Sequence, residues 1–166
     1  MMQRYLAART NAAFARWQDT YENLKTPEQI AAYQQEHRAQ FLEHIGGFPA
    51  RTPLNARVTG TLPADGYHIE KILFESQPNH FVSGNLYLPD PARYPGPMPG
   101  VVVVCGHSKV AKAADAYARV SILCALHGLA TFIVDPIEQG ERIQWLDDAA
   151  NAKIPWGTYG HTGIGV

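Results

Sequence analysis

The residues best placed to do chemistry follow a short β-branched run. Val101 to Cys105 reads as a strand buried on both faces. Gly106-His107-Ser108 comes directly after it, and a helical pattern follows. A glycine at the carboxyl end of a parallel strand opens the backbone where open α/β sheets bind ligands. A dinucleotide or phosphate loop would need G-x-G-x-x-G or G-x-x-x-x-G-K-[ST] spacing, which is absent. Three readings stay open. The first is a serine nucleophile elbow at Ser108. Gly106 to Val110 follows G-x-S-x-G until Val110, where a small residue is needed for close strand–helix packing. The second is an oxyanion loop, in which the His107 or Ser108 backbone N–H would hold a developing negative charge and Gly106 would let the backbone approach. The third is a plain tight turn between strand and helix.

Other candidates are weaker. Arg142, in Gly140-Glu141-Arg142, could orient a substrate or pair with Glu141 or Asp147; structural pairing is the favoured reading. Asp135 and His161 could nominally complete a triad with Ser108, and His161 could line a substrate site from its glycine-rich tail. Cys105 and His107 are too few for zinc, which takes three or four ligands, so no metal or organic cofactor is expected. His37 reads as a partly buried packing histidine, and Asp147-Asp148 as a solvated pair. Cys105 and Cys124 read as small buried hydrophobes rather than a disulfide framework.

These residues need elements to hold them. Met2 to Leu24 has apolar residues at helical spacing: Phe14, Trp17, Tyr21 and Leu24. Thr26-Pro27-Glu28-Gln29 predicts a second helix with a capping box, and Gly46-Gly47 stops it. An N-terminal helical hairpin over residues 1–47 and an α/β domain over 48–166 are expected. In that domain Arg57 to Leu62 could be a short strand. Tyr67 to Glu75 and Phe81 to Leu88 alternate around the turn Gln77-Pro78-Asn79, predicting an antiparallel hairpin. Pro89 to Pro99 is a proline-rich loop. Ala113 to His127 reads as a helix, and Leu129 to Val134 as a strand parallel to Val101–Cys105 through a helical crossover. Beyond Gly140 the pattern weakens into loop.

Composition sets the outer bounds. The 166 residues are 46% apolar, which argues against intrinsic disorder. The 14 basic and 15 acidic residues leave a net charge of −1, without the basic cluster of a nucleic-acid surface. No apolar run approaches the roughly 20 residues of a membrane span. The N-terminus lacks the compact apolar core of a secretion signal, leaving the cytoplasm as the default expectation.

Several segments together form a recognisable pattern. They are Gly46-Gly47-Phe48-Pro49, Thr52-Pro53-Leu54-Asn55, Val58-Thr59-Gly60, Gly66-Tyr67-His68-Ile69-Glu70-Lys71 and Phe74-Glu75-Ser76. Asn85-Leu86-Tyr87-Leu88-Pro89, Cys105-Gly106-His107-Ser108 and Asp135 to Arg142 complete it. In these the chain resembles the bacterial α/β-hydrolases labelled acetyl xylan esterase-like, from about Phe41 to its end. The resemblance implies ester hydrolysis by an activated serine on a small ester or acetylated carbohydrate. It also implies that Gly106, His107 and Ser108 form the oxyanion loop, and that the nucleophile, acid and histidine of the triad fall beyond Val166. The family pattern has glycine where Glu138 stands. Its strand order leaves Val101–Val104 at an unpaired edge if the sheet stops after its fourth strand. The expectation is therefore an α/β-hydrolase-type sheet, truncated after strand four, inactive alone and prone to self-association through that edge. The alternatives are a non-catalytic binding or interaction module and a small serine hydrolase using Ser108.

Overall fold

The computed structural model of the chain describes residues 1–149. It divides into two compact units, Met1–Ala50 and Arg51–Val166.

The first unit is a helical hairpin. α1 spans Met2–Glu22 and α2 spans Pro27–His44. The capping box forms as its sequence requires. The Thr26 hydroxyl accepts from the Gln29 amide at 3.3 Å, and the Gln29 side chain accepts from the Thr26 amide at 3.1 Å. Gly46 and Gly47 both have φ near +75°, and the Gly47 N–H reaches back to the Leu42 carbonyl at 2.7 Å, closing α2. Trp17 Nε1 donates to the Tyr33 hydroxyl at 3.1 Å, joining the two helices. Neither helix contains a buried residue. His37 is therefore exposed, not partly buried as its place on the stripe suggested; its ring lies 3.9 Å from that of Tyr33 and bonds the Tyr33 carbonyl.

The second unit holds a mixed five-stranded sheet. Its strands are β1 (Arg57–Ala64), β2 (Tyr67–Gln77), β3 (His80–Pro89), β4 (Gly100–Val103) and β5 (Ala130–Val134), in the order β1-β2-β3-β5-β4. β1, β2 and β3 form an antiparallel meander, β3 runs antiparallel to β5, and β4 runs parallel to β5. Asn79, at φ +64°, makes the two-residue turn between β2 and β3. The crossover from β4 to β5 carries a 3-10 turn, Ala111–Ala113, and then α3, Asp115–Leu126. α3 packs on one face of the sheet. There Tyr87, Ala125 and Ile133 are buried together, with Ile69, Val103 and Ile122 around them.

Two glycines permit close approach. A Cβ at Gly84 would lie 2.7 Å from the Phe132 ring on the neighbouring strand. Gly128, at φ +86°, ends α3 beneath the Tyr94 ring, and the Tyr94 hydroxyl donates to the Leu126 carbonyl at 2.8 Å. That contact pins the proline-rich loop to the end of α3. This is an α/β fold with a helical pair ahead of it, as expected. Three details differ. β1 runs on to Ala64, β4 ends at Val103 rather than Cys105, and six residues, including the 3-10 turn, separate Ser108 from α3.

Candidate active site

The Gly106–Ser108 loop leaves the end of β4 and is held from two sides. The Gly106 N–H donates to the Tyr117 hydroxyl at 2.9 Å, and a Cβ at position 106 would stand 3.0 Å from that oxygen. A side chain at this position would press on the Tyr117 hydroxyl of α3. The Ser108 N–H donates to Gln139 Oε1 at 2.6 Å. Neither amide enters a helix or sheet ladder. Gly106 and His107 are exposed, and Ser108 is half-buried.

The anchor beneath the loop is Asp135, at the end of β5 and fully buried. Its Oδ1 accepts the Lys112 N–H at 3.0 Å. Its Oδ2 accepts the Lys112 ammonium, the Ser83 hydroxyl at 2.9 Å and the Glu141 N–H at 3.1 Å. These four donors fill the roughly four lone-pair positions of a carboxylate. Asp135 is thus engaged as a structural anchor, with three donors on Oδ2 and one on Oδ1. The Lys112 ammonium also meets Glu141 Oε2 at 2.6 Å. The short ladder 83–112–135–141 ties the start of β3, the 3-10 turn and the loop after β5 together.

The segment Pro136–Arg142 folds tightly over this anchor. Gly140, at φ +59°, sits where a Cβ would collide with the Asp135 carboxylate, and its N–H donates to the Lys109 carbonyl at 3.3 Å. Glu138 takes φ +59°, a left-handed conformation suited to glycine. Its buried carboxylate accepts the Gln144 amide at 2.5 Å and the Trp145 amide at 3.1 Å. Those two charge-assisted bonds offset the strain and account for a glutamate where glycine would be easier.

The Glu141 carboxylate meets Lys112 rather than Arg142. Arg142 Nη1 donates to the Asp135 carbonyl at 2.9 Å, and its Nη2 lies 3.4 Å from His80 Nε2. Burial pulls the guanidinium pKa down, against the opposing pull of Asp135. His161 lies outside the described residues. Cys105 and Cys124 are half-buried rather than buried. Burial, and then the Asp135 charge, push the Cys105 thiol pKa up.

Besides Tyr117, sequence reasoning missed three participants. Lys112 and Ser83 gave no signal because their partner lies across the sheet, at the end of another strand. The third is His80, whose Nδ1 lies 2.7 Å from the Ser76 hydroxyl across the β2–β3 turn. The Arg142 guanidinium facing Nε2 favours the tautomer with its proton on Nδ1, in which the imidazole donates to Ser76. Beside the loop a cleft of about 580 Å³ opens, with Lys71, Asn85, Lys109, Lys112 and Glu141 among its lining residues.

No protein-family model and no curated protein matches the chain. Among solved structures it is similar to a Bacteroides fragilis protein assigned as an acetyl xylan esterase. The TM-score is 0.60 at 18% identity, over 82% of this chain and 36% of that one. It also matches an acetyl xylan esterase from Paenibacillus sp. R4, at TM-score 0.45 and 18% identity, over 73% of this chain and 37% of that one. A cold-adapted esterase from an Arctic intertidal metagenomic library matches at TM-score 0.43 and 16% identity, over 55% and 36%. The fold resembles that of the Bacteroides fragilis protein, and the chain spans little more than a third of the length of these structures.

Proposed function

We propose that this chain carries the oxyanion loop of a carboxylic-ester hydrolase that works through a serine nucleophile. The observation that supports it most is the placement of Gly106–Ser108. The loop stands at the carboxyl end of a parallel strand in an esterase-like fold, and Tyr117 and Gln139 hold it without drawing it into regular structure. An acyl oxygen bound there would displace the Gln139 carbonyl from the Ser108 amide and take that hydrogen bond as negative charge develops. The substrate class is a small ester, an acetylated carbohydrate among them.

Ser108 is not the nucleophile on this reading. An elbow serine sits on a sharp turn leading straight from strand to helix. Ser108 is instead followed by a turn and a 3-10 turn before α3 begins at Asp115. The chain alone should therefore hydrolyse a chromogenic short-chain ester no faster than buffer, with Ser108→Ala unchanged, and a fluorophosphonate probe should leave Ser108 unlabelled. The loop itself is tested by titrating the labelled chain with methylphosphonate and following amide resonances. The Ser108 amide should shift, and Gln139→Met should strengthen the response by removing the competing acceptor. Hydrolysis abolished by Ser108→Ala would replace this proposal with a small serine hydrolase. An unresponsive loop would favour a non-catalytic module.

A further inference from the structure

The helical hairpin leaves its apolar stripe uncovered. Phe14 is 63% exposed, and Trp17, Tyr21, Ile30, Phe41 and Ile45 are exposed as well. On a 3.6-residue repeat, Thr10, Phe14, Trp17 and Tyr21 share one side of α1. Thr10 and Ala13 are small and Phe14 and Trp17 large, and these four line a surface hollow of about 430 Å³. The hollow lies near the middle of α1, next to one of the most exposed aromatic side chains in the helix.

That arrangement is complementary to itself. When two copies of α1 lie antiparallel, a two-fold axis near Ala12 sets position 14 of one over position 10 of the other. Each Phe14 then enters the hollow beside the other copy's Thr10 and Ala13, in the manner of a knob in a hole. The charges agree with the same register. Arg4 and Glu22 are separated by about five helical turns, so they stand on one flank. The axis brings each Arg4 beside the other copy's Glu22. Residues 1–50 hold five basic side chains (Arg4, Arg9, Arg16, Lys25, Arg38) and five acidic ones (Asp19, Glu22, Glu28, Glu36, Glu43), so the two hairpins do not repel at long range.

We propose that the helical hairpin docks on the hairpin of a second copy, with α1 antiparallel to its counterpart about a two-fold axis near Ala12.

Sedimentation of the full chain through the micromolar range should show a saturable monomer–dimer equilibrium. Phe14→Glu should give monomer with an unchanged far-ultraviolet helical signal, since the side chain it replaces is exposed. Arg4→Glu and Glu22→Arg should each weaken the dimer roughly two- to tenfold, because each removes two symmetry-related rim pairs. The double variant Arg4→Glu/Glu22→Arg should restore it. No contact within one copy can produce that rescue across about five turns of helix. A monomer at high micromolar concentration overturns the proposal. So does a dimer insensitive to Phe14→Glu, a double variant that fails to recover, or an association abolished only by a substitution in β4.

Discussion

Asp135 is the residue on which the candidate site depends. Its charge is buried and answered by the Lys112 ammonium, and two backbone amides and the Ser83 hydroxyl share the remaining acceptor positions. Removing one partner of such a pair strands the other, and the cost is about 3–5 kcal/mol. Asp135→Asn should lower unfolding stability by that order in urea titration, and it should release the Glu141 and Lys112 amides to hydrogen exchange. Glu138 offers a sharper comparison, because strain and hydrogen bonding act there in opposite directions. Glu138→Ala keeps the left-handed backbone and loses both amide bonds, whereas Glu138→Gly loses the bonds and relieves the strain. Thermal unfolding should rank wild type first, glycine second and alanine last, with glycine and alanine about 1 kcal/mol apart. Cys105 gives the pH-dependent prediction. Its thiol pKa is raised by burial and by Asp135, so the folded chain holds that proton at a pH where the unfolded chain releases it. Its contribution to stability is complete below the ordinary thiol range and declines as pH rises through and above it. Iodoacetamide labelling of native Cys105 should correspondingly lag behind that of the unfolded chain at mildly alkaline pH.

At the scale of elements, local chemistry decided what could be read in advance. The Thr26 capping box, the Gly46-Gly47 stop, the turn before β3 and the parallel β4–α3–β5 crossover each depend on residues close in sequence, and each forms as the sequence indicated. Thr26→Ala should cost the hairpin about 0.5–2 kcal/mol, seen as reduced helical signal on heating. Burial was less legible, because it depends on what lies opposite. The α1 and α2 stripes have the period of core-facing helices, yet neither helix buries a residue. The run Val101–Cys105 has the composition of a strand covered on both sides, yet the ladder to β5 stops at Val103, and Cys105 instead bonds the Val134 carbonyl through its sulfur. The order of the residues singles out the glycine at position 106 and the segment 135–142 as candidates. It does not single out the Lys112–Asp135 pair, since the two members belong to different elements and neither has a periodic neighbour that marks it. The same holds for Tyr117, whose hydroxyl steadies the loop from within a helix that otherwise reads as packing.

At the scale of the whole molecule, the described sheet has its most apolar strand at one edge. β4 pairs only with β5 among the described residues, and its side chains divide by parity. Val103 packs toward the Tyr87–Ala125–Ile133 core, whereas Val102 and Val104 are 70% and 78% exposed on the other face. The ladder begins with the Ala130 N–H on the Pro99 carbonyl, so in a parallel pairing the amides of Val101 and Val103 turn toward β5 and that of Val102 turns outward. An open edge with valines beside it is a template for further strands, because each added strand satisfies one row of groups and presents another. Association through it would be open-ended, unlike the closed two-fold pairing proposed for the helices, and the two can be told apart by stoichiometry. Hydrogen exchange should find the Val102 amide fast beside slow Val101 and Val103. Light scattering on warming should show progressive growth that Val102→Lys suppresses, with little loss of unfolding stability, since that side chain is already in water. Val103→Lys should suppress growth only by unfolding the domain, because it would bury a charge against α3. A Val102 amide as protected as its neighbours would mean that the edge is covered, and scattering indifferent to Val102→Lys would assign the growth to another surface.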